Sequence, residues 1–259
     1  MEVLNDTQSE SDDRGIDINW VGVSSFKFPL KVQDKSSIQS TVSEFSLAVD
    51  LSKEQRGTHM SRFIEALNDH GNCIGVHNIS DLNKYISEKL EAEKSRVNVS
   101  FSYFLEKKAP ETGLKGLMDY FITIESILDG ECLDLVVTVD VPVTTLCPCS
   151  KAISKRGAHN QRGNVKFSVK FSDTIWIEDL IYLVESSASS ELYSVLKRPD
   201  EKVVTERAYD NPVFVEDLVR NVALKANEMS NVNWYKVEAE NFESIHNHNA
   251  YAVIVKGHR

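Results

Sequence analysis

Val97-Asn98-Val99-Ser100-Phe101-Ser102-Tyr103 alternates apolar and polar residues without a break, the period of a strand with one face buried. Residues 115–128 carry a similar, less regular pattern. Leu133-Asp134-Leu135-Val136-Val137-Thr138-Val139-Asp140-Val141 then opens another strand. Strands next to strands, with helical segments grouped elsewhere, argue for an α+β fold. In such a fold an antiparallel sheet carries its helices on one face.

The pattern extends outward on both sides. Upstream, residues 26–32 and 42–51 show strand spacing, with Phe45, Leu47 and Val49 on one face. Helical spacing follows at 60–68 through Phe63, Ile64 and Leu67. A second helix is expected over 81–94, with Ser80 or Asp81 as its N-cap and Leu82, Tyr85, Ile86 and Leu90 as its stripe. Downstream, Val165, Phe167, Val169 and Phe171 alternate, and 175–186 reads as a helix. Asn211-Pro212 opens a stronger helix with Phe214, Leu218 and Val222 on its buried face. Strands at 232–240 and 251–256 close the chain. Each half reads strand, strand, helix, helix, strand, strand. The expected organisation is an acidic, flexible leader over 1–19, a first ββααββ unit over 20–130 and a second over 131–259. No residue-level repeat links the halves, so the duplication is architectural. Residues 147–162 read as an irregular link between two strands, and loops are where chemistry concentrates.

Composition narrows the function classes. The chain has 259 residues, 41% hydrophobic and 26% charged, which is ordinary for a soluble globular protein. A formal net charge of −10 argues against nucleic acid and anionic membrane as partners. No apolar run approaches the roughly 20 residues that span a bilayer. The polar, acidic start lacks the basic and apolar regions of a signal peptide, so a cytoplasmic location is expected. The four cysteines are Cys73, Cys132, Cys147 and Cys149. In a reducing compartment the close pair Cys147 and Cys149 points to metal binding or catalysis rather than a disulfide.

Five segments carry candidate chemistry. Cys147-Pro148-Cys149, with His159 in the same polar loop, offers three donors suited to zinc, one short of a closed tetrahedral site. The blander reading of the cysteines is two small buried residues at a turn. Lys197-Arg198-Pro199-Asp200-Glu201-Lys202 sets carboxylates among cations, as a ligand, a phosphate site or simply a solvated turn. Glu216 begins a helix and is either a dipole-facing carboxylate or an acceptor for the N–H edge of a purine, with Asp217 competing for that role. His246 and His248 fall on one side if their segment is extended; they suit proton relay, metal binding or a polar turn. Arg56-Gly57-Thr58-His59-Met60-Ser61-Arg62 sits at a helix start, where anions bind or arginines are merely solvated. Lys151, Lys155, Arg156, Arg162, Lys197, Arg198 and Arg207 add local cationic density suited to a triphosphate.

The blocks 145–154 and 157–162 closely resemble the prokaryotic type IB GTP cyclohydrolases. So do 56–62, 198–202, 205–212 and 243–248. Six blocks in order, from Arg56 to the C-terminus, form a specific signal. The resemblance implies the tunnelling fold, with two units in one chain. It implies a homotetramer with active sites at subunit interfaces and GTP as substrate. The products are 7,8-dihydroneopterin triphosphate and formate, at the entry to folate and pterin synthesis. By the same resemblance Cys147, His159 and Glu201 hold one divalent metal (zinc, manganese or iron), Glu216 anchors guanine and His246 transfers protons. Lys197, Arg198, Arg207 and His248 are expected at the substrate, and the role of Cys149 stays open. Such residues suit water attack at guanine C8, since a metal lowers the pKa of bound water. Two rival readings are a nitrile reductase of the same fold acting on a deazaguanine, where a cysteine attacks the nitrile, and a non-catalytic module stabilised by zinc.

Overall fold

The alternation around Val97 becomes β3 (Lys94–Lys108), in which Val97, Val99 and Phe101 are buried. The computed structural model describes residues 6–33, 35, 37–70 and 73–257. Two compact units divide the chain, one made of Met1–Phe101 with Thr123–Val136, the other of Ser102–Ile122 with Val137–Arg259. β3 and β4 (Lys115–Asp129) each give one end to either unit.

In the first unit β1 (Ile18–Gln33) pairs antiparallel with β2 (Ile38–Leu51), and β2 pairs antiparallel with β3. Phe45 stands opposite Val99 and Leu47 opposite Val97, so the buried positions of both strands share a face. β1 and β2 begin earlier than their apolar cores suggested, because backbone pairing continues through polar residues. Gly22 permits this pairing: a Cβ there would lie 1.9 Å from the Leu47 carbonyl oxygen. α1 (Met60–His70) buries Phe63, Ala66 and Leu67, and α2 (Ile79–Leu90) buries Ile79, Leu82, Ile86 and Leu90. Each fully buried side chain of this size contributes roughly 1.5–3 kcal/mol, more than propensity differences of a few tenths per residue. The second helix is shorter than the expected 81–94. Glu91 takes a left-handed conformation (φ 55°) that closes α2, and strand starts at Lys94. Neither Ser80 nor Asp81 is the N-cap; Asn78 holds that position, with its side chain bonded to Gly75 N and Cys73 O instead.

Part of the leader makes specific contacts. Backbone bonds join Asp12 to Glu54, Arg56 to Glu10 and Gly57 to Gln8. Arg56 also pairs with Glu10, and His59 Nε2 lies 3.2 Å from Asp6. Leader residues 1–5 lie outside the described residues.

In the second unit β5 (Cys132–Leu146) pairs with β6 (Asn160–Phe171), which pairs with β8 (Val232–Asn241), which pairs with β9 (Ala250–Lys256), all antiparallel. A two-residue β7 (Ser190–Glu191) adds to β5. Val139, Val165, Phe167, Val237 and Ala239 form the buried face. α4 (Ile177–Glu185) packs on β6 and on α6 (Val215–Glu228), and α6 packs on β8 and β9.

Three local expectations change here. The 147–162 link holds a short α3 (Pro148–Ile153), and strand resumes at Asn160. The last helix begins at Val215, three residues past Pro212. The 197–202 segment is not a turn but the start of α5 (Arg198–Asp210). Asp200, fully buried, fixes that start. Its carboxylate accepts bonds from Lys197 N (2.9 Å), Glu111 N (2.9 Å), Thr112 N (2.8 Å) and Thr112 Oγ1 (2.7 Å). Among the described residues no helix is long and apolar enough to cross a membrane.

Candidate active site

The β5–β6 pairing builds the first wall of the site. Leu146 stands opposite Asn160 and Thr145 opposite Gln161, so the 147–159 loop leaves and re-enters the sheet at one place. Cys147 N donates to His159 O (3.1 Å), closing the loop. Pro148, at the first turn of α3, needs no N–H partner. Cys147 caps α3: its Sγ accepts from Ser150 N at 3.3 Å. Ser150 Oγ in turn donates to Cys147 O (3.1 Å) and accepts from His159 N (3.2 Å). Cys147 is half-buried and Cys149 exposed.

A second set of bonds orients His159. Gln161, 8% exposed, donates through Nε2 to Thr145 Oγ1 (3.0 Å) and presents Oε1 to His159 Nδ1 (3.0 Å). This pair of contacts fixes the ring orientation of His159.

The other walls come from distant sequence. Val213 N donates to Leu146 O (3.0 Å) and docks the start of α6 beside β5. Asp217 is spent on the helix: Oδ2 accepts from Phe214 N (3.2 Å) and Oδ1 lies 3.7 Å from Arg220. Glu216 has no such duty among the described residues and lines the cavity. The 242–249 segment, between β8 and β9, is bent rather than extended. It still brings His246 and His248 together, with ring centroids 5.1 Å apart and planes 22° apart. The result is a cavity of about 280 Å³ lined by Cys147, His159, Gln161, Glu216, Asn241, Glu243, His246 and His248, with apolar residues of the α6 approach.

Five of the expected site residues therefore meet: Cys147, His159, Glu216, His246 and His248. Four do not line this cavity. Glu201 is exposed on the first turn of α5, beside Lys197 and Arg198. Arg207 lines a different cavity, about 200 Å³, with Glu185 and Glu191. There its guanidinium meets Glu191 Oε1 (3.2 Å) and Tyr193 Oη (3.1 Å). Burial opposes the charge of Glu191, yet Lys107, Tyr193 and Arg207 outweigh it and hold the carboxyl below its ordinary range. Burial and Glu191 push the Tyr193 hydroxyl up to about 12. Lys151 reaches the Tyr209 carbonyl and lies over its ring at 4.4 Å, tying α3 to α5. Among the described residues no group of three or more His, Cys, Asp or Glu side chains stands ready to hold a metal. Gln161, Asn241 and Glu243 escape a reading based on residue type and spacing. Gln161 and Asn241 look like ordinary polar positions in strands, and only cross-strand register reveals them.

The backbone arrangement matches solved uricases. The uricase from Arthrobacter globiformis superposes with a TM-score of 0.53 at 9% identity, over 93% of this chain and 95% of that one. Urate oxidase from Bacillus sp. TB-90 gives 0.54 at 8%, over 93% and 100%. At such identities the likeness defines the fold alone: a mixed α/β tunnelling fold built on antiparallel sheet. The family is set by sequence. The family model "Type I GTP cyclohydrolase folE2" matches residues 4–252. GTP cyclohydrolase FolE2 of Akkermansia muciniphila is 59% identical over 258 residues, 98% of each chain. That of Magnetococcus marinus is 49% identical over 99% of this chain and 97% of the relative, and that of Syntrophobacter fumaroxidans 51% over 96% and 98%. The chain belongs to the type I GTP cyclohydrolase FolE2 family.

Proposed function

We propose that the Cys147–His159–Glu216–His246 cavity hydrolyses GTP to 7,8-dihydroneopterin triphosphate and formate, the first step of folate and pterin synthesis, as a type IB enzyme. One observation carries this reading: three segments far apart in sequence deliver a thiol, an imidazole held by Gln161, a carboxylate and a histidine pair to one cavity. Glu216 accepts the N1 and N2 hydrogens of guanine, as a carboxylate accepts two parallel bonds. That grip aims the imidazole ring at Cys147 and His159. His246 donates to N7 or N9 as water attacks C8, then shuttles protons through ring opening. His248, stacked on it, holds its ring in place.

A single divalent metal (zinc, manganese or iron) belongs to this reading, held by Cys147, His159 and Glu201. Cys147 and His159 fit it. Both line one cavity, and the Gln161 bond to Nδ1 is the outer-shell contact that metal-ligating histidines ordinarily make. When bound, the metal supplies Lewis acidity that draws the pKa of water toward neutrality. Glu201, outside the cavity lining, belongs to this set by the family resemblance.

The reading also includes two tandem ββααββ units, a cytoplasmic location and a homotetramer with sites at subunit interfaces. In this reading Lys197, Arg198 and Arg207, which do not line the cavity, serve the triphosphate of a site shared between subunits.

The test is turnover together with metal content. Purified protein with manganese or zinc releases formate from GTP and yields a product that oxidises to a fluorescent pterin. His246→Ala keeps its metal and loses turnover, whereas Glu201→Ala loses metal. Absence of product with every divalent metal rejects the activity. Metal loss in His246→Ala, or full retention in Glu201→Ala, overturns the division between ligand and acid.

A further inference from the structure

Among the described residues two carboxylates line the cavity, Glu216 and Glu243. The guanine contact proposed above uses the first and leaves the second without a task. Glu243 is half-buried, and among the described residues its carboxylate has no hydrogen-bond or ion-pair partner. Neither of its oxygens is buried, so both stay open to an occupant of the cavity that the side chain lines. The carboxylates just before it are committed. Glu238 meets Tyr251 Oη (3.0 Å) and Lys236 Nζ (2.8 Å), and Glu240 accepts from Asn249 Nδ2 (2.8 Å). A half-buried charge with no partner gives up hydration without a return in the fold, and such groups concentrate where chemistry is done.

Strand register locates Glu243. β8 ends with Asn241 opposite Gly163, and Phe242 N donates to Arg162 O at 2.9 Å. One step further in the same register stands Gln161, the residue that orients His159. Glu243 therefore leaves the sheet at the His159 end of the cavity, where guanine C8 is placed. It is not a third ligand beside Cys147 and His159, since among the described residues no three such side chains gather to hold one ion. The ribose hangs from N9, the atom next to C8, so C1′ is two bonds from C8 and C2′ three. A carboxylate at the C8 end of the purine stands beside these sugar carbons.

Loss of formate does not finish the reaction. The sugar ring of the opened product gives up its C1′–O bond to a C1′=N9 iminium, with the ring oxygen taking a proton from water. The pyrazine ring closes only after C2′ becomes a ketone. We infer that Glu243 is a further catalytic residue, the base that takes the C2′ proton in this rearrangement, an assignment that rests on GTP hydrolysis as proposed above. The C2′–H electron pair becomes a C1′=C2′ bond as the C1′=N9 pair returns to N9. The protonated carboxyl then gives its proton to C1′, and the C2′ hydroxyl proton leaves to water. C2′ is oxidised as C1′ is reduced, and no outside oxidant is consumed. Proton transfer by a placed side chain is worth about 10²–10⁴-fold.

Glu243→Gln in the full chain, loaded with metal and in excess over GTP, tests this. Formate release is expected within about threefold of wild type, while pterin formation slows by about a hundredfold or more. The opened diamine accumulates and is trapped with diacetyl as a dimethylpterin. Glu243→Asp, which keeps a carboxylate, recovers part of the pterin rate. A purely structural role would not separate the two products. Formate and pterin falling together overturn the assignment, and so does no change in either. If Glu243→Gln does not fold, Glu243→Ala is read by the same ratio. If wild-type protein opens no GTP, hydrolysis fails on its own. The opened diamine, supplied directly, then decides alone. Conversion to pterin by wild type and not by Glu243→Gln keeps the assignment, and equal conversion, or none by either, removes it.

Discussion

Glu216 and Asp217 are adjacent carboxylates at one helix start, and their partners separate their roles. Asp217 satisfies the Phe214 N–H and sits near Arg220. Asp217→Ala removes a helix cap, worth about 0.5–2 kcal/mol in chemical denaturation, and leaves GTP affinity within about twofold. Glu216→Ala does the reverse. Stability stays within about 0.5 kcal/mol, as for a surface change. GTP binding weakens by roughly tenfold or more, the loss of a charge-assisted pair. Isothermal titration with GTP distinguishes the two; loss of binding in Asp217→Ala would move the guanine contact to that residue. The sequence left these neighbours in competition, since both are acidic residues on a first turn. Only the capping bond ranks them.

At the scale of elements, α5 is the clearest case of tertiary structure overriding sequence pattern. Its thirteen residues are mostly charged, and only Asp200 and Ala208 are buried, so no apolar stripe marks it as a helix. What fixes its start is Asp200 with four donors, two of its partner residues lying some ninety positions upstream. Burial alone would raise the pKa of Asp200, but hydrogen bonds from Thr112, Lys197 and Glu111 outweigh it and hold the carboxyl well below its ordinary range. A depressed folded-state pKa contributes stability that is present above the unfolded value of about 3.9 and is lost as pH falls below it. Wild type is therefore expected to melt several degrees above Asp200→Asn from neutral pH down to about 4, with the gap closing in more acidic buffer. A gap unchanged down to the acid limit would mean that Asp200 acts by shape rather than charge. By contrast β3, β6 and β8 were legible because alternation maps directly onto burial. The ends of β3 and β6 were not, since pairing there runs through polar residues; β8 keeps the expected bounds to within one residue.

At the scale of the whole molecule, the grouping of strands and helices pointed to an α+β class, and the fold is a mixed α/β tunnelling fold built on antiparallel sheet. The site was legible in part for a physical reason. Cys147, His159, Glu216 and His246 are conspicuous as types, whereas Gln161 and Asn241 matter only through the cross-strand register that places them. Three of the expected cations do not line the cavity: Arg207 is held by Glu191 and Tyr193, and Lys197 and Arg198 start α5. Charge along a sequence does not specify which side of a helix, or which subunit, meets a phosphate.

In the proposed reaction water attacks guanine C8, and this carbon leaves while the triphosphate stays. GTP carrying ¹³C at C8, incubated with the metal-loaded full chain and followed by NMR, tests it most directly. The label is expected to appear in formate in equal amount to the GTP consumed, with all three phosphates retained on the pterin product. Label remaining in an intact purine, or phosphate released while the ring stays closed, would contradict it.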